Sequence, residues 1–175
     1  MRFKYFLGRV VAFLALLVLW PLLLVIALLA KLKMSGGPVL FRQQRVGQYG
    51  RLFTIYKFRT MPITPFSERL RRHKLDELPQ LWNVLKGDMS FVGPRPERQY
   101  FIDQINRETD DYRYIYMMRP GITSYATVYN GYTDTMDKML KRLEYDLDYL
   151  DNRTIFTDLG IIIKTVFSVF CGKKF

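Results

Sequence analysis

Asp76 and Glu77 stand side by side in "HKLDELPQLWNVLKGDMSFVGPRP", residues 73 to 96, and adjacent carboxylates can divide one reaction between them. One can attack as a nucleophile and carry an acyl-phosphate, as carboxylates do in covalent catalysis. The other can hold a Mg²⁺ ion that bridges phosphate oxygens. Phosphoryl transfer also needs cations around its developing charge. Arg71 and Arg72 lie just upstream, Lys57 and Arg59 lie in "YKFRT", and Arg95 is held between two prolines in "GPRP", which suits an aimed guanidinium. Each of these residues has a plainer use. By local rules alone the helix N-cap is the commoner use of an aspartate such as Asp76, Lys57 and Arg59 serve as well in a solvated strand edge, and Arg95 as part of a rigid surface turn. The single histidine, His73, excludes a zinc site built on several histidines, and neither a Walker loop nor GxGxxG is present.

The dyad depends on the helix that follows it. Leu78, Leu81, Trp82 and Leu85 recur at three- and four-residue spacing, which predicts an amphipathic helix starting at or close to Asp76 and ending at Gly87. Pro79 fits because it falls in the first turn, where its missing N–H costs nothing. Upstream, "PVLFRQQRVGQYGRLFTIYKFRT" reads as two short strands around a turn at Gly47 to Gly50. Strand alternation puts Ile55, Lys57 and Arg59 on one face. "FSERLRRHK" is a basic helical turn or loop. A helix is expected from Glu97 to Thr109, then a loop-and-strand passage in "RPGITSYATVYNG". A longer helix follows with Met136, Met139, Leu140, Leu143, Leu147 and Leu150 on one side. The tail is apolar at Leu159, Ile162, Ile163, Val166 and Phe170, a face that can lie on a membrane or complete a core.

Val10 to Ala30 carries no charge over 21 residues, enough at ~1.5 Å per residue to cross about 30 Å of hydrocarbon. "LLAKLKM" follows it with lysines in place of the small-residue cleavage site of a signal peptide. Arg2, Lys4 and Arg9 precede the segment and Lys31, Lys33, Arg42 and Arg45 follow it, so the positive-inside preference pulls both ends to the cytoplasmic face. Pro21 sits in its middle and biases Trp20 away from helical geometry. A helix that enters, breaks at Trp20-Pro21 and returns satisfies both facts. A kinked helix spanning once is the alternative. The net charge of +11 belongs to this half of the chain: residues 1 to 74 hold fourteen Lys and Arg against one acid, Glu68. Such a surface suits anionic lipid and anionic substrates. The one cysteine, Cys171, offers no internal disulfide.

Taken together, "PVLFRQQRVGQYGRLFTIYKFRTM", "LDELPQLWNVLKGDMSFVGPRP" and "RPGITSYATVYNG" closely resemble the bacterial sugar transferases, the monotopic phosphoglycosyl transferases. The resemblance covers nearly the whole chain. It implies an enzyme that moves a sugar 1-phosphate from a UDP-sugar to a membrane polyprenol phosphate, releasing UMP, as the first step of a surface glycan. It implies Asp76 as the nucleophile, Glu77 as a Mg²⁺ ligand, and Lys57, Arg59, Arg71 and Arg95 as phosphate contacts. It also implies the re-entrant helix broken at Trp20-Pro21. Four positions depart from the family pattern. Trp20 replaces the usual serine before the proline, the segment "PITPFSERLRRHKL" is short, His73-Lys74 replaces Thr-Ser, and Asn130-Gly131-Tyr132 replaces a Gly-Arg-Asn that carries an arginine.

The expected fold is therefore α+β and mostly helical, with an N-terminal re-entrant membrane helix-break-helix, a small β-hairpin and amphipathic helices at the membrane surface. Residues 1–34 form the re-entrant helix, and 35–175 a cytosolic catalytic domain ending in a membrane-surface helix. The expected location is the bacterial inner membrane with the catalytic domain facing the cytoplasm. Expected partners are the UDP-sugar, polyprenol phosphate, membrane lipid and a second copy of the chain in a homodimer, and not nucleic acid, since the aromatic residues are not interleaved with the cations as a base-stacking array. The competing function is a membrane-anchored basic binding module without catalysis, which predicts salt-sensitive affinity and indifference to Mg²⁺.

Overall fold

Apolar sequence dominates the start of the chain, and in the computed structural model it forms one helix, α1 (Arg2–Lys33). The structure describes residues 2–34, 36–131 and 135–171; Tyr132 and the terminal Lys173 and Lys174 lie outside the described residues. These residues divide into two compact units, one built from Met1–Gln43 and Thr54–Gly87, the other from Gln44–Phe53 and Asp88–Phe175.

In the first unit, α1 is continuous through Pro21, so the interruption of secondary structure expected at Trp20-Pro21 is absent. Its 32 residues correspond to about 48 Å. Only Ala12, Ile26 and Ala30 are buried, while Phe3, Phe6, Phe13, Leu14, Val18 and Trp20 stand exposed. A core helix of a soluble domain would be covered; this one calls for an apolar medium outside the protein. Strands β1 (Leu40–Val46) and β2 (Leu52–Phe58) pair as the expected hairpin, whose tip, residues 44–53, belongs to the second unit. The turn needs Tyr49 at φ 59 and Gly50 at φ 71. Helix α2 (Pro65–Arg72) starts at a capping box in which Thr64 and Ser67 satisfy each other's backbone N–H. A single 3-10 turn, Leu75–Glu77, then leads into α3 (Gln80–Lys86), which stops at Gly87 with φ 90. Ile26 of α1, Phe58 of β2 and Leu70 of α2 form the buried centre, with Leu75 and Leu78 packed against it.

The second unit contains β3 (Ser90–Val92), α4 (Gln99–Glu108), α5 (Tyr112–Ile115), β4 (Gly121–Thr123), α6 (Tyr125–Asn130), α7 (Met136–Asn152) and α8 (Ile155–Cys171). Strands β3 and β4 pair in parallel, Ser90 opposite Gly121 and Val92 opposite Thr123. The backbones come so close beyond this pair that a Cβ at Gly93 would strike the Arg119 carbonyl. The loop-and-strand expectation for residues 119 to 131 needs correction. Only Gly121–Thr123 is strand, because the Ser124 hydroxyl accepts the Thr127 N–H at 2.9 Å and starts a helix. Met136, Met139, Leu140 and Leu147 of α7 flank a core of Val46, Ile102, Ile105, Tyr112, Ile115 and Leu143. Helix α8 is apolar on two sides. Ile161 and Ile162 face a core shared with Val92, Met118 and Tyr149, whereas Phe156, Leu159, Ile163, Val166, Phe167 and Phe170 are exposed. Of the face expected from the sequence, Ile162 thus turns inward and Leu159, Ile163, Val166 and Phe170 outward.

The result is a mostly helical α+β protein with a long apolar N-terminal helix and two small sheets.

Candidate active site

Lys74 places the dyad. Its backbone takes the left-handed conformation, φ 54 and ψ 17, directly after α2 ends at His73, and this sharp change of direction folds Leu75–Glu77 into its 3-10 turn. A lysine held there stores about 1 kcal/mol of backbone strain. The N-cap role open to Asp76 is not the one it takes. Lys74 holds the cap position, no side chain caps the turn, and Asp76 lies within it.

Asp76 is 9% exposed. Burial pushes its carboxyl up to about 6, and the Glu77 charge adds to the rise; Lys57, the Asp76 backbone N–H and Lys74 oppose it. Glu77 meets Lys57, whose Nζ lies 2.6 Å from Oε1 with both side chains largely covered. The pairing follows from alternation in β2, since Lys57 lies opposite in facing to buried Phe58 and reaches the turn. α3 is tied to the same strand: the Asn83 side chain accepts from the Tyr56 N–H at 3.2 Å and donates to the Thr54 carbonyl at 2.7 Å. One strand therefore fixes both the cation and the helix behind the dyad.

The other implied contacts in this unit are arranged differently. Arg71 is exposed in the last turn of α2. Arg59 is engaged at the end of α1: its guanidinium donates to the Met34 carbonyl just beyond the helix, and its backbone N–H donates to the Val39 carbonyl at 2.8 Å. His73 is the C-cap of α2.

Arg95 belongs to the second unit, and its loop is clamped on both flanks. Before it, the Pro94 carbonyl accepts the Gly121 N–H at 2.9 Å and Gly93 donates to Thr123 at 3.1 Å. After it, Arg45 donates to the Pro96 carbonyl at 3.2 Å and reaches Glu97 Oε2 at 3.4 Å, while Arg142 donates to the other carboxylate oxygen. The Glu97 carbonyl takes the Val46 N–H at 3.0 Å. Burial lowers the pKa of both Arg45 and Arg142, and Arg95 lowers each further, so several cations crowd around one carboxylate. Asp146 completes the group. Burial pushes it up to about 7, Glu97 adds to this, and Arg142 and the Ala126 N–H oppose it. Its Oδ1 finds no hydrogen-bond partner among the described residues. A cavity of ≈ 20 Å³ touches Arg95, Glu97, Tyr112, Arg142 and Asp146, about the room that one water needs.

Sequence reasoning did not single out Glu97, Arg142 or Asp146. The signal lay in α7, where Asp146 falls three residues after Leu143 and four before Leu150, on the apolar stripe itself. An acid there is buried, and a buried acid demands cations or a proton.

For Mg²⁺, the donor set offers two adjacent carboxylates, and among the described residues no group of three His, Cys, Asp or Glu side chains gathers to cage an ion. That fits Mg²⁺, which binds through one or two carboxylates and takes its remaining ligands from water and substrate phosphate.

Comparison with known proteins gives the family of the chain. Residues 1–172 match the family described as bacterial sugar transferase. The chain is 41% identical over 169 residues to a UDP-N-acetylgalactosamine-undecaprenyl-phosphate N-acetylgalactosaminephosphotransferase of Aeromonas hydrophila, covering 87% of this chain and 40% of that protein. It is 40% identical to the UDP-glucose:undecaprenyl-phosphate glucose-1-phosphate transferase of Escherichia coli (strain K12), covering 94% and 39%. It is 37% identical to the uncharacterized sugar transferase EpsL of Bacillus subtilis (strain 168), covering 79% and 73%. The chain spans about two fifths of the length of the first two relatives.

Proposed function

Since this chain belongs to the bacterial sugar transferase family, we propose that it is a phosphoglycosyl transferase, moving a sugar 1-phosphate from a UDP-sugar to undecaprenyl phosphate at the start of a surface glycan. The observation that carries the proposal is the Asp76 carboxyl, buried beside Glu77 and pushed up to about 6, with Lys57 at hand.

The chemistry is a pair of displacements. An Asp76 oxygen attacks the sugar-bearing phosphorus, a phosphorus–oxygen bond forms, and the bond to UMP breaks so that UMP leaves with the electron pair. The undecaprenyl phosphate oxygen then attacks the same phosphorus, and the Asp76 carboxylate leaves. Burial excludes the water that would otherwise hydrolyse the aspartyl adduct. Lys57 holds Glu77 in place and favours ionised Asp76. Lys57, Arg71 and Arg95 are the proposed phosphate contacts; Arg59, engaged at Met34, is left out of that set. Glu77, with Asp76 beside it, would hold Mg²⁺, which when bound neutralises charge on the diphosphate.

The proposed setting is the bacterial inner membrane, with the catalytic portion in the cytoplasm. Support comes from α1, exposed and apolar over most of its length. Arg9 near its start donates to the Lys86 carbonyl at the end of α3, while Ile26 near its other end packs with Phe58 and Leu70. A helix crossing once would carry one end to the far side of ~30 Å of hydrocarbon. Contacts at both ends with the same unit favour a re-entrant course bent at Trp20-Pro21. The outward face of α8 favours a second seat on the membrane surface.

The test is UMP release from a panel of UDP-sugars by the nanodisc-held chain with undecaprenyl phosphate and Mg²⁺, comparing wild type with Asp76→Asn. Release by wild type alone is the expected result. Equal release by Asp76→Asn would remove Asp76 as nucleophile, and binding without turnover across the panel would favour the non-catalytic module.

A further inference from the structure

Helix α1 ends at Lys33, and the carbonyls of a last helical turn have no partner within the helix. Near a bilayer such orphans are costly, because hydrocarbon offers no donor. Arg59, the residue after β2, supplies one: its guanidinium donates to the Met34 carbonyl, and a cation at that end is also favoured by the helix dipole. The chain leaving the helix is shaped to admit it. An alanine Cβ at position 37 would overlap the Arg59 guanidinium, so Gly37 leaves the space that the side chain fills. The backbone N–H of Arg59 closes the same contact from the other side through Val39.

Two residues back, inside β2 and about 7 Å away, Lys57 meets Glu77 of the dyad. The end of β2 and the residue that follows it thus hold the catalytic turn with one side chain and the exit of the membrane helix with another. We infer that Arg59 is a positioning residue which fixes the dyad relative to the membrane helix, and so serves the lipid acceptor more than the soluble donor. The inference rests on the phosphoglycosyl transferase reading. The donor arrives from solution and needs only the dyad and its cations. The acceptor's phosphate is tethered at the depth its lipid sets, so attack on the adduct depends on where the dyad stands relative to the helix. Among the described residues Arg59 Nε has no partner, which is the one feature favouring a direct phosphate contact.

The two roles separate by half-reaction. The full chain is held in nanodiscs of phosphatidylethanolamine and phosphatidylglycerol and mixed with a UDP-sugar that the wild type accepts. The UMP burst is measured before undecaprenyl phosphate is added, and the transfer rate after it. Arg59→Ala is expected to keep the burst rate within about two-fold of wild type and to slow transfer about ten-fold. Gly37→Ala, which keeps the arginine but displaces it, is expected to give the same split, and it carries the test if Arg59→Ala fails to fold. A burst slowed as much as transfer in both variants overturns the inference in favour of a phosphate contact or a general structural role, as does normal transfer in both. A wild-type chain that gives no burst with any UDP-sugar instead removes the reading on which the inference rests.

Discussion

Replacing Asp76 by Asn should make the protein more stable while abolishing turnover. The carboxyl is 9% exposed and its pKa rises from 3.8 to about 6 on folding. Between those values the folded state binds more protons than the unfolded state, so stability falls as pH increases. Below pH 3.8 both states are protonated and the residue contributes nothing; above pH 6 the full cost is present. A rise of about two units at 1.36 kcal/mol each is about 3 kcal/mol against folding at neutral pH. Asparagine is close in shape to the protonated acid and carries no charge to desolvate, so most of that cost should vanish. At about 2–4 °C per kcal/mol for a chain of this size, the gain in Tm is roughly 6–12 °C. The assay is thermal unfolding in detergent at pH 7.5 and again at pH 4, for wild type and Asp76→Asn. The gain should be large at pH 7.5 and nearly absent at pH 4. A variant no more stable than wild type at pH 7.5, or a gain independent of pH, would refute the argument that the Asp76 carboxyl is held ionised at the expense of stability.

The same carboxyl predicts an acid limb in catalysis. The rate of the UMP burst should fall with a midpoint near pH 6, to about a tenth of its plateau at pH 5, and Lys57→Met should move the midpoint upward because the lysine favours the ionised form; an unmoved midpoint in a pH-rate series would contradict this. Glu97→Gln strips the carboxylate from two largely buried guanidiniums, Arg45 and Arg142, and should cost about 3 kcal/mol in a denaturant melt. Because the Arg95 loop is clamped through Glu97, that variant should also raise the donor KM.

Local rules carried much of the fold to the surface of the sequence. The hairpin, the helix behind the dyad and the long α7 each had a clear period, and the first two had clear end signals, Gly47 to Gly50 for the turn and Gly87 for the stop. What stayed hidden was non-local. The pairing of β3 with β4 joins segments about thirty residues apart through strands of three residues, too short for any alternation to announce. The surroundings of Glu97 and Asp146 stayed hidden because sequence distance conceals the arginines that meet them. Arg59 was legible as a cation on the Lys57 face, but its partner is a backbone carbonyl, and no residue type advertises a carbonyl.

The value near 6 for Asp76 has a logic of its own under the proposed reaction. The group that attacks in the first displacement is the group that departs in the second. A more basic carboxylate attacks better and leaves worse, and a less basic one does the reverse. An ordinary exposed aspartate would be fully ionised but a weak nucleophile. A carboxyl buried without compensation would be protonated at pH 7 and unable to attack at all. At about 6 roughly nine tenths of the molecules carry the charge at pH 7. Burial and Glu77 push the value up, Lys57 and the backbone N–H hold it down, and all of these come from one 3-10 turn and the strand beside it. The left-handed Lys74 and the short turn are therefore electrostatic devices as much as structural ones. They keep the Asp76 carboxyl dry, with a like charge adjacent and Lys57 and Lys74 close enough to stop the proton from winning.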